Sequence, residues 1–305
     1  MGIAQFHTAP GTSGSHAIHA DSSVFKAWAT HCTVERGYID IQDPGLGKAS
    51  HGNPSDALGA PDGVAVVSLG DSGIAVVQFA HPIMDGPGYD FAIFENGFAD
   101  HYIELAFVEI SSDGQQYFRF PAICNVDSSQ QNDSFQFSDL TKVHNFAGKY
   151  RALYGTPFDI SDVPDHLFLN KNHITHIRLV DVVGSINPAF GSRDMEGKII
   201  NNSYPSPFPQ SGFDLDAVGV IHFAPGYALE ENVKSTFNIY PNPFNDYLHI
   251  ESENISSTYE LWDISGRKLK SGILLQKTNL LDLSDLKSGI YLFKSQHQCK
   301  TIIKN

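Results

Sequence analysis

Apolar and polar side chains alternate in short runs along most of this chain, and Gly, Pro, Asp or Asn punctuates them every few residues. "VAVVSLG" (64–70) and "IAVVQFA" (74–80) flank Asp71–Gly73, "YDFAIFENGF" (89–98) and "IELAFVEISS" (103–112) follow, and "SSDG" leads into "QQYFRFPAI" (115–123). Runs this short, β-branched or aromatic and bounded by turn formers, predict strands joined by tight turns. Asp71–Gly73 reads as one such hairpin turn. A polar, irregular stretch spans Asn125 to Asn172, after which "ITHIRLVDVVGSI" (174–186) and "FDLDAVGVIHF" (213–223) resume the strand pattern. "SSVFKAWATHC" (22–32) predicts a short helix. The fold class expected is all-β, a jelly-roll-type β-sandwich with long loops.

The last of these runs carries Asp214 and Asp216 where burial would favour apolar residues. A period of two aims both acids at one face and leaves Phe213, Leu215 and Ala217 on the other. Asp90 opens "DFAIFENG", Glu95 closes it at a turn, and "NPSDALGAPDG" adds Asn53, Asp56 and Asp62 in a Gly- and Pro-rich loop. Ca²⁺ takes about six to eight oxygen ligands of this kind, so these seven residues are candidate ligands for a structural calcium ion. The competing expectation is that such carboxylates accept backbone N–H bonds at loop crossings.

Composition sharpens this picture. Gly and Pro together supply 42 (26 + 16) of 305 residues, which favours turn-rich β structure over long helices. The net charge of −14 is uneven: residues 1–234 hold 12 basic and 27 acidic groups, and residues 235–305 hold the remaining 8 and 7. An acidic front module repels phosphate backbones, so nucleic acid is not an expected partner, while cations and neutral polar ligands remain open. Three cysteines, Cys32, Cys124 and Cys299, permit at most one bridge with a thiol left over. No run of about 18 apolar residues predicts a membrane span. The opening "MGIAQFHTAPGTSGSHAIH" lacks the basic and apolar regions of a signal peptide, so either the chain is intracellular or its leader has been removed.

Catalytic signatures are weak. His31 in "ATHC" and Ser72 in "GDSG" resemble serine-protease motifs, but the 40 residues between them are too few for the barrel that would position a triad. His173 and His176 lie on a strand, where i and i+3 face opposite sides, and His16 and His19 lie in a polar entry expected to be solvated. Glu95, Glu104 and Glu109 are candidates for the paired carboxylates of a glycan-active hydrolase. Trp28, Tyr89, Tyr102, Tyr154 and Tyr204 are candidates for stacking on sugar faces, against core packing as the alternative.

The last part of the chain differs in kind. Pro241 and Pro243 hold an extended entry, Ser265–Gly266 predicts a hairpin turn, and Ser288–Gly289 turns into "IYLFKS", giving a small β-sandwich. The elements "YPNPF" (Tyr240, Pro241, Asn242, Pro243, Phe244), "D-x-x-G-R" (Asp263, Gly266, Arg267), "L-x-S-G-I-Y" (ending Gly289 to Tyr291) and a terminal "K-x-I-I-K-N" containing Lys304 occur in order. The stretch resembles the type A C-terminal sorting domain of the type IX secretion system. The resemblance implies recognition by an outer-membrane translocon and cleavage by a sortase-like protease, hence a secreted protein or one on the outer-membrane surface of a Gram-negative bacterium.

The front runs from Ile18 to Phe223 are also similar to a family of uncharacterised bacterial cell-surface proteins near the galactose-binding-like jelly rolls. That resemblance implies a secreted β-sandwich. The expected organisation is a surface module over 1–223, a linker over 224–236 and a sorting domain over 237–305. The expected function is binding of a glycan or small nutrient, with a glycan-active hydrolase or a purely structural surface protein as the alternatives.

Overall fold

Strand pairing organises both units of the chain. In the computed structural model, which describes residues 6–223, 237–252, 257–264, 267–295 and 298–305, the chain divides at Ala228/Leu229. The front unit is built on seven strands: β1 (His31–Glu35), β2 (Ile74–Ile83), β3 (Phe91–Glu95), β4 (Ala106–Ser111), β5 (Tyr154–Phe158), β6 (Ile174–Asp181) and β7 (Asp214–Val220). One antiparallel sheet runs Ile18–His19, β5, β3, β7, Ala27–Trp28, with Val67–Ser68 also paired to β7. The other runs Phe146–Ala147, β4, β6, β2, β1, with Phe118–Arg119 added on β4. From β2 to β7 each successive long strand lies in the opposite sheet, the crossing pattern of a jelly-roll sandwich. Among the described residues only short 3₁₀ turns interrupt the strands.

Period-two alternation explains the core. Phe91 and Ile93 of β3, Val108 and Ile110 of β4, Ile177 and Leu179 of β6, and Leu215, Val218 and Val220 of β7 meet between the sheets. Phe91, Phe120 and Phe158 form a ring cluster with centroids 5.1–5.9 Å apart, each contributing on the order of 1.5–3 kcal/mol by leaving water. Ala92, Phe94 and Ala217 face outward under Phe25 and Trp28. Ala217 therefore does not share a face with Leu215 as strict alternation would require. A β-bulge between Leu215 and Ala217 makes Asp216 the extra residue and resets the phase.

Two local expectations need correction. Residues 22–32 form no helix: Phe25 and Trp28 pack on Phe94 at 5.5 and 5.6 Å, and that aromatic contact selects an extended chain over local helix preference. Asp71–Gly73 is not a hairpin, because Val67–Ser68 and β2 lie in different sheets. The tight turn closed by Gly73 N–H donating to the Gly70 carbonyl at 2.8 Å instead carries the chain across the sandwich. Cys32 and Cys124 are buried free thiols in separate core clusters, so they are not bridged.

The second unit holds a three-stranded sheet of β8 (Asn238–Tyr240), β9 (Tyr247–Glu251) and β12 (Thr278–Asp282). A four-stranded sheet orders β11 (Lys268–Leu274), β10 (Ser257–Asp263), β13 (Gly289–Ser295) and β14 (Gln298–Lys304). Phe237, Phe244, Leu248, Leu261 and Phe293 fill the core of this small sandwich. The Ser265–Gly266 turn and Gly266 of the motif lie outside the described residues.

Candidate functional site: an acidic cavity with an aromatic rim

Glu95 ends β3 on the same face as Phe91 and Ile93, so alternation drives a carboxylate inward at the end of the sandwich. It is 2% exposed, and neither oxygen has a hydrogen-bond partner. Burial first, then the neighbouring Glu104 and Asp214 carboxylates, push its pKa well above the usual range. The Gly97 amide opposes this as a lesser cause. Gly97 cannot carry a side chain without crowding this group, since a Cβ there would sit 2.9 Å from Glu95 Oε2.

Glu104 arrives from the loop before β4. Gly148 approaches its carbonyl so closely that a Cβ would lie 1.7 Å from the oxygen, and Gly148 has φ +81, which fixes that loop. Burial and the Asp214 and Asp181 charges raise Glu104 well above the carboxylate range, while a hydrogen bond with Tyr102 opposes them. Asp214, 3% exposed, accepts from Ser68 Oγ and, at 2.6 Å, from Gln210 Nε2. Burial raises its pKa too, against the Ser68, Gln210 and Asn96 hydrogen bonds and the His51 charge.

Glu104 and Asp214 line an open cavity of about 390 Å³ together with Asn96, Gly97 and Gln210, and Glu95 stands behind its floor. Its rim is aromatic. Phe98, Phe135 and Phe208 are 62%, 63% and 43% exposed, whereas Tyr102 is buried among them. Ring centroids lie 4.3 Å apart for Phe98–Tyr102, 6.5 Å for Tyr102–Phe135 and 5.9 Å for Phe135–Phe208. The volume suits a small organic molecule.

The seven residues expected around one calcium ion do not form one group. Asp90 precedes the first residue of β3 and Glu95 ends the strand, about 16 Å apart along an extended chain. Asp90 accepts from the Gly86 and Ile160 amides, both at 2.7 Å, and pairs with His222 Nδ1 at 2.8 Å, with its pKa pushed by burial up to about 6. Asp216 accepts from the Asp62 and Gly63 amides at 3.3 and 2.9 Å. Asp62 spends its own Oδ1 on the Val64 and Ala65 amides, and Asp56 accepts from the Asn53 amide at 2.8 Å. Among the described residues, Asp85, Asp90 and Asp159 bring carboxylate oxygens within 4.8 Å of one another. Of these, both oxygens of Asp90 are already engaged, by the Gly86 and Ile160 amides and His222.

Of the aromatic candidates, Tyr102 alone lines the cavity. Trp28 packs on Phe94, the Tyr89 hydroxyl meets His16 Nδ1, Tyr154 stacks under Arg151 at 4.4 Å, and the buried Tyr204 hydroxyl donates to Asp40. His16 also stacks on His7 at 3.5 Å, so it is not simply solvated. Glu109 is held by Arg119 at 2.8 Å and by Arg178, away from the cavity. Sequence reasoning missed Phe98, Phe135 and Phe208. Their signal, large apolar residues set in loops of Asn, Ser and Pro, was present but unweighted.

In the second unit the motif residues hold the strand ends together. Asn242 donates to the Thr301 carbonyl at 2.9 Å and accepts from the Ile303 amide at 2.8 Å. Lys304, 7% exposed, donates to the Leu283 carbonyl at 2.8 Å. Asp263 accepts from the Arg267 amide and guanidinium at 3.0 and 3.1 Å, and the Tyr291 hydroxyl donates to the Lys287 carbonyl at 2.6 Å. Tyr240 stays 44% exposed, stacked on His249.

The sequence of this unit matches the family described as the secretion system C-terminal sorting domain over residues 238–305. Residues 238–305 are a type IX sorting domain. A sorting domain of this kind marks the chain as a secreted or cell-surface protein that engages the type IX secretion machinery. No curated protein matches the chain. Solved structures similar to it include β-glucuronidases from Faecalibacterium prausnitzii (10% identity, 91% of this chain, 44% of that one, TM-score 0.19) and Dictyoglomus thermophilum (12%, 75%, 36%, 0.18). A third is from Ruminococcus gnavus (8% identity, 93% of this chain, 47% of that one, TM-score 0.20). The chain spans less than half of each, and a likeness this slight carries nothing about activity.

Proposed function

We propose that the front module binds a small polar ligand, a glycan unit or a small nutrient, at the cell surface, and that the sorting domain delivers it there through the type IX translocon and is removed by a sortase-like protease. One observation carries the binding reading: buried carboxylates and exposed aromatic rings converge on one cavity, the combination that orients polar groups while stacking an apolar body. The test is a thermal melt of the full chain across sugars, amino sugars and nutrient-sized amines, since a ligand of the folded state alone raises the melting temperature. No shift with any compound, and none lost in Phe98→Ala, sinks the reading. Removing residues 238–305 should leave the front module cell-associated beneath the outer membrane, read by fractionation.

A glycan-active hydrolase is the second reading, supported by Glu104 and Asp214 facing one cavity with burial pushing the Glu104 carboxyl well above the usual range. Hydrolysis of a chromogenic glycoside by the full chain, abolished in Glu104→Gln, would favour it.

A further inference from the structure

The cavity has a charge problem that its ligand can solve. None of its lining residues is basic and two are carboxylates, and Glu95, outside the lining but acted on by both charges, is 2% exposed and without a hydrogen-bond partner. Arg36 and His51 act on Asp214 from outside the lining, and Arg36 is occupied by the carbonyls of His51, Ser68 and Gly52. A buried carboxylate without a hydrogen-bond partner either holds a proton or needs a cation brought to it. The geometry disfavours a single metal ion. Glu95, Glu104 and Asp214 do not bring ligand oxygens within 4.8 Å of one another, which Ca²⁺ at 2.3–2.6 Å from each would require. The space is also far larger than an ion.

From the acid floor and the exposed Phe98–Phe135–Phe208 rim we infer that the ligand is an organic cation, a small molecule carrying an ammonium nitrogen on an apolar or sugar-like body. This rests on the binding reading above. The nitrogen sits toward Glu104 and Asp214, and the adjoining carbons lie against the rings, whose faces attract a cation as well as apolar groups. Anionic ligands such as uronates are disfavoured by the same carboxylates. The charged and titratable groups facing the acids are Asp181, Asp216, Tyr102, His51 and Arg36.

The experiment is isothermal titration calorimetry of the full chain at pH 7.5 and low salt with matched pairs: choline against 3,3-dimethylbutanol, and glucosamine against N-acetylglucosamine, with CaCl₂ as a separate arm. The expected result is that at least one cation binds at least tenfold more tightly than its neutral match. Glu104→Gln should weaken it about tenfold, and Phe135→Ala, a change at an exposed ring, should weaken it severalfold with an unchanged melting temperature. Equal binding of a neutral partner overturns the cation inference and leaves the binding reading standing. Binding of Ca²⁺ with neither organic cation overturns it in favour of a metal, and silence from every compound overturns both.

Discussion

Asp90 and Glu95 stand at the two ends of one strand in opposite circumstances. Asp90 accepts two backbone amides and meets a histidine, whereas Glu95 has no hydrogen-bond partner on either oxygen. Asp90→Asn should cost about 2 kcal/mol, because an amide nitrogen must then face an N–H donor. Glu95→Gln should stabilise the front module by about 1 kcal/mol at pH 8 and by less at pH 5, because burial raises the native carboxyl and the cost of that raised group grows with pH. Urea unfolding at the two pH values separates these outcomes, and a loss at pH 8 would mean that Glu95 has a stabilising partner.

Acid pH should stabilise the front module. Burial raises Asp90 and Asp216 to about 6 and Asp71 to about 7, and also pushes Glu95, Glu104 and Asp181 well above the usual carboxylate range. Groups raised above their unfolded values bind protons in the native state first, so stability falls as pH climbs from about 4 through 7. His7, lowered by burial to about 4, and His176, also lowered by burial, work the other way but are outnumbered by the raised carboxylates, which also include Asp85 and Asp214. The front-unit melting temperature should be about 5 °C higher at pH 5 than at pH 8.

Gly148→Ala tests the support of Glu104. The residue has φ +81 and its Cβ would overlap the Glu104 carbonyl at 1.7 Å, so about 3 kcal/mol or more of stability should be lost. A melt together with ligand titration should show both stability and binding reduced.

Glu109 neutralises Arg119 and Arg178 while itself only 6% exposed. The arginines are partly in water, so Glu109→Gln should cost about 1–2 kcal/mol rather than the full penalty of a buried pair. Ligand affinity should not change, which distinguishes this carboxylate from those in the cavity.

In the sorting domain, Asn242→Ala removes two hydrogen bonds that tie the entry to the last strand. About 1–2 kcal/mol of that unit's stability should go, with the front-unit transition unmoved, as differential scanning calorimetry of the full chain would show.

The alternating runs made β2, β3, β4, β6 and β7 legible because one residue in two faces the core. Tyr154–Phe158 escaped notice because Gly155 and Pro157 break its pattern, although Thr156 and Pro157 sit opposite Ile93 and Ala92. The site was half visible. Asp214, Glu95, Glu104 and Tyr102 each stood out as residues, but their meeting depends on β7 pairing with β3 across 118 positions of chain, which no local pattern encodes. Conversely, Asp216 looked like Asp214's twin, and a single bulge sent it to the Asp62–Gly63 amides instead.

That late strand sets an order of events. β7 lies between β3 and Ala27–Trp28, yet it is the last front strand to be synthesised. A nascent chain ending before Gly212 has one edge of β3 open and lacks Asp214, so that sheet is incomplete and the cavity is short of one of its two lining carboxylates. Pairings this distant in sequence form slowly. The ribosome has therefore nearly reached the sorting domain before the front module can close its second sheet or complete a place to hold a guest.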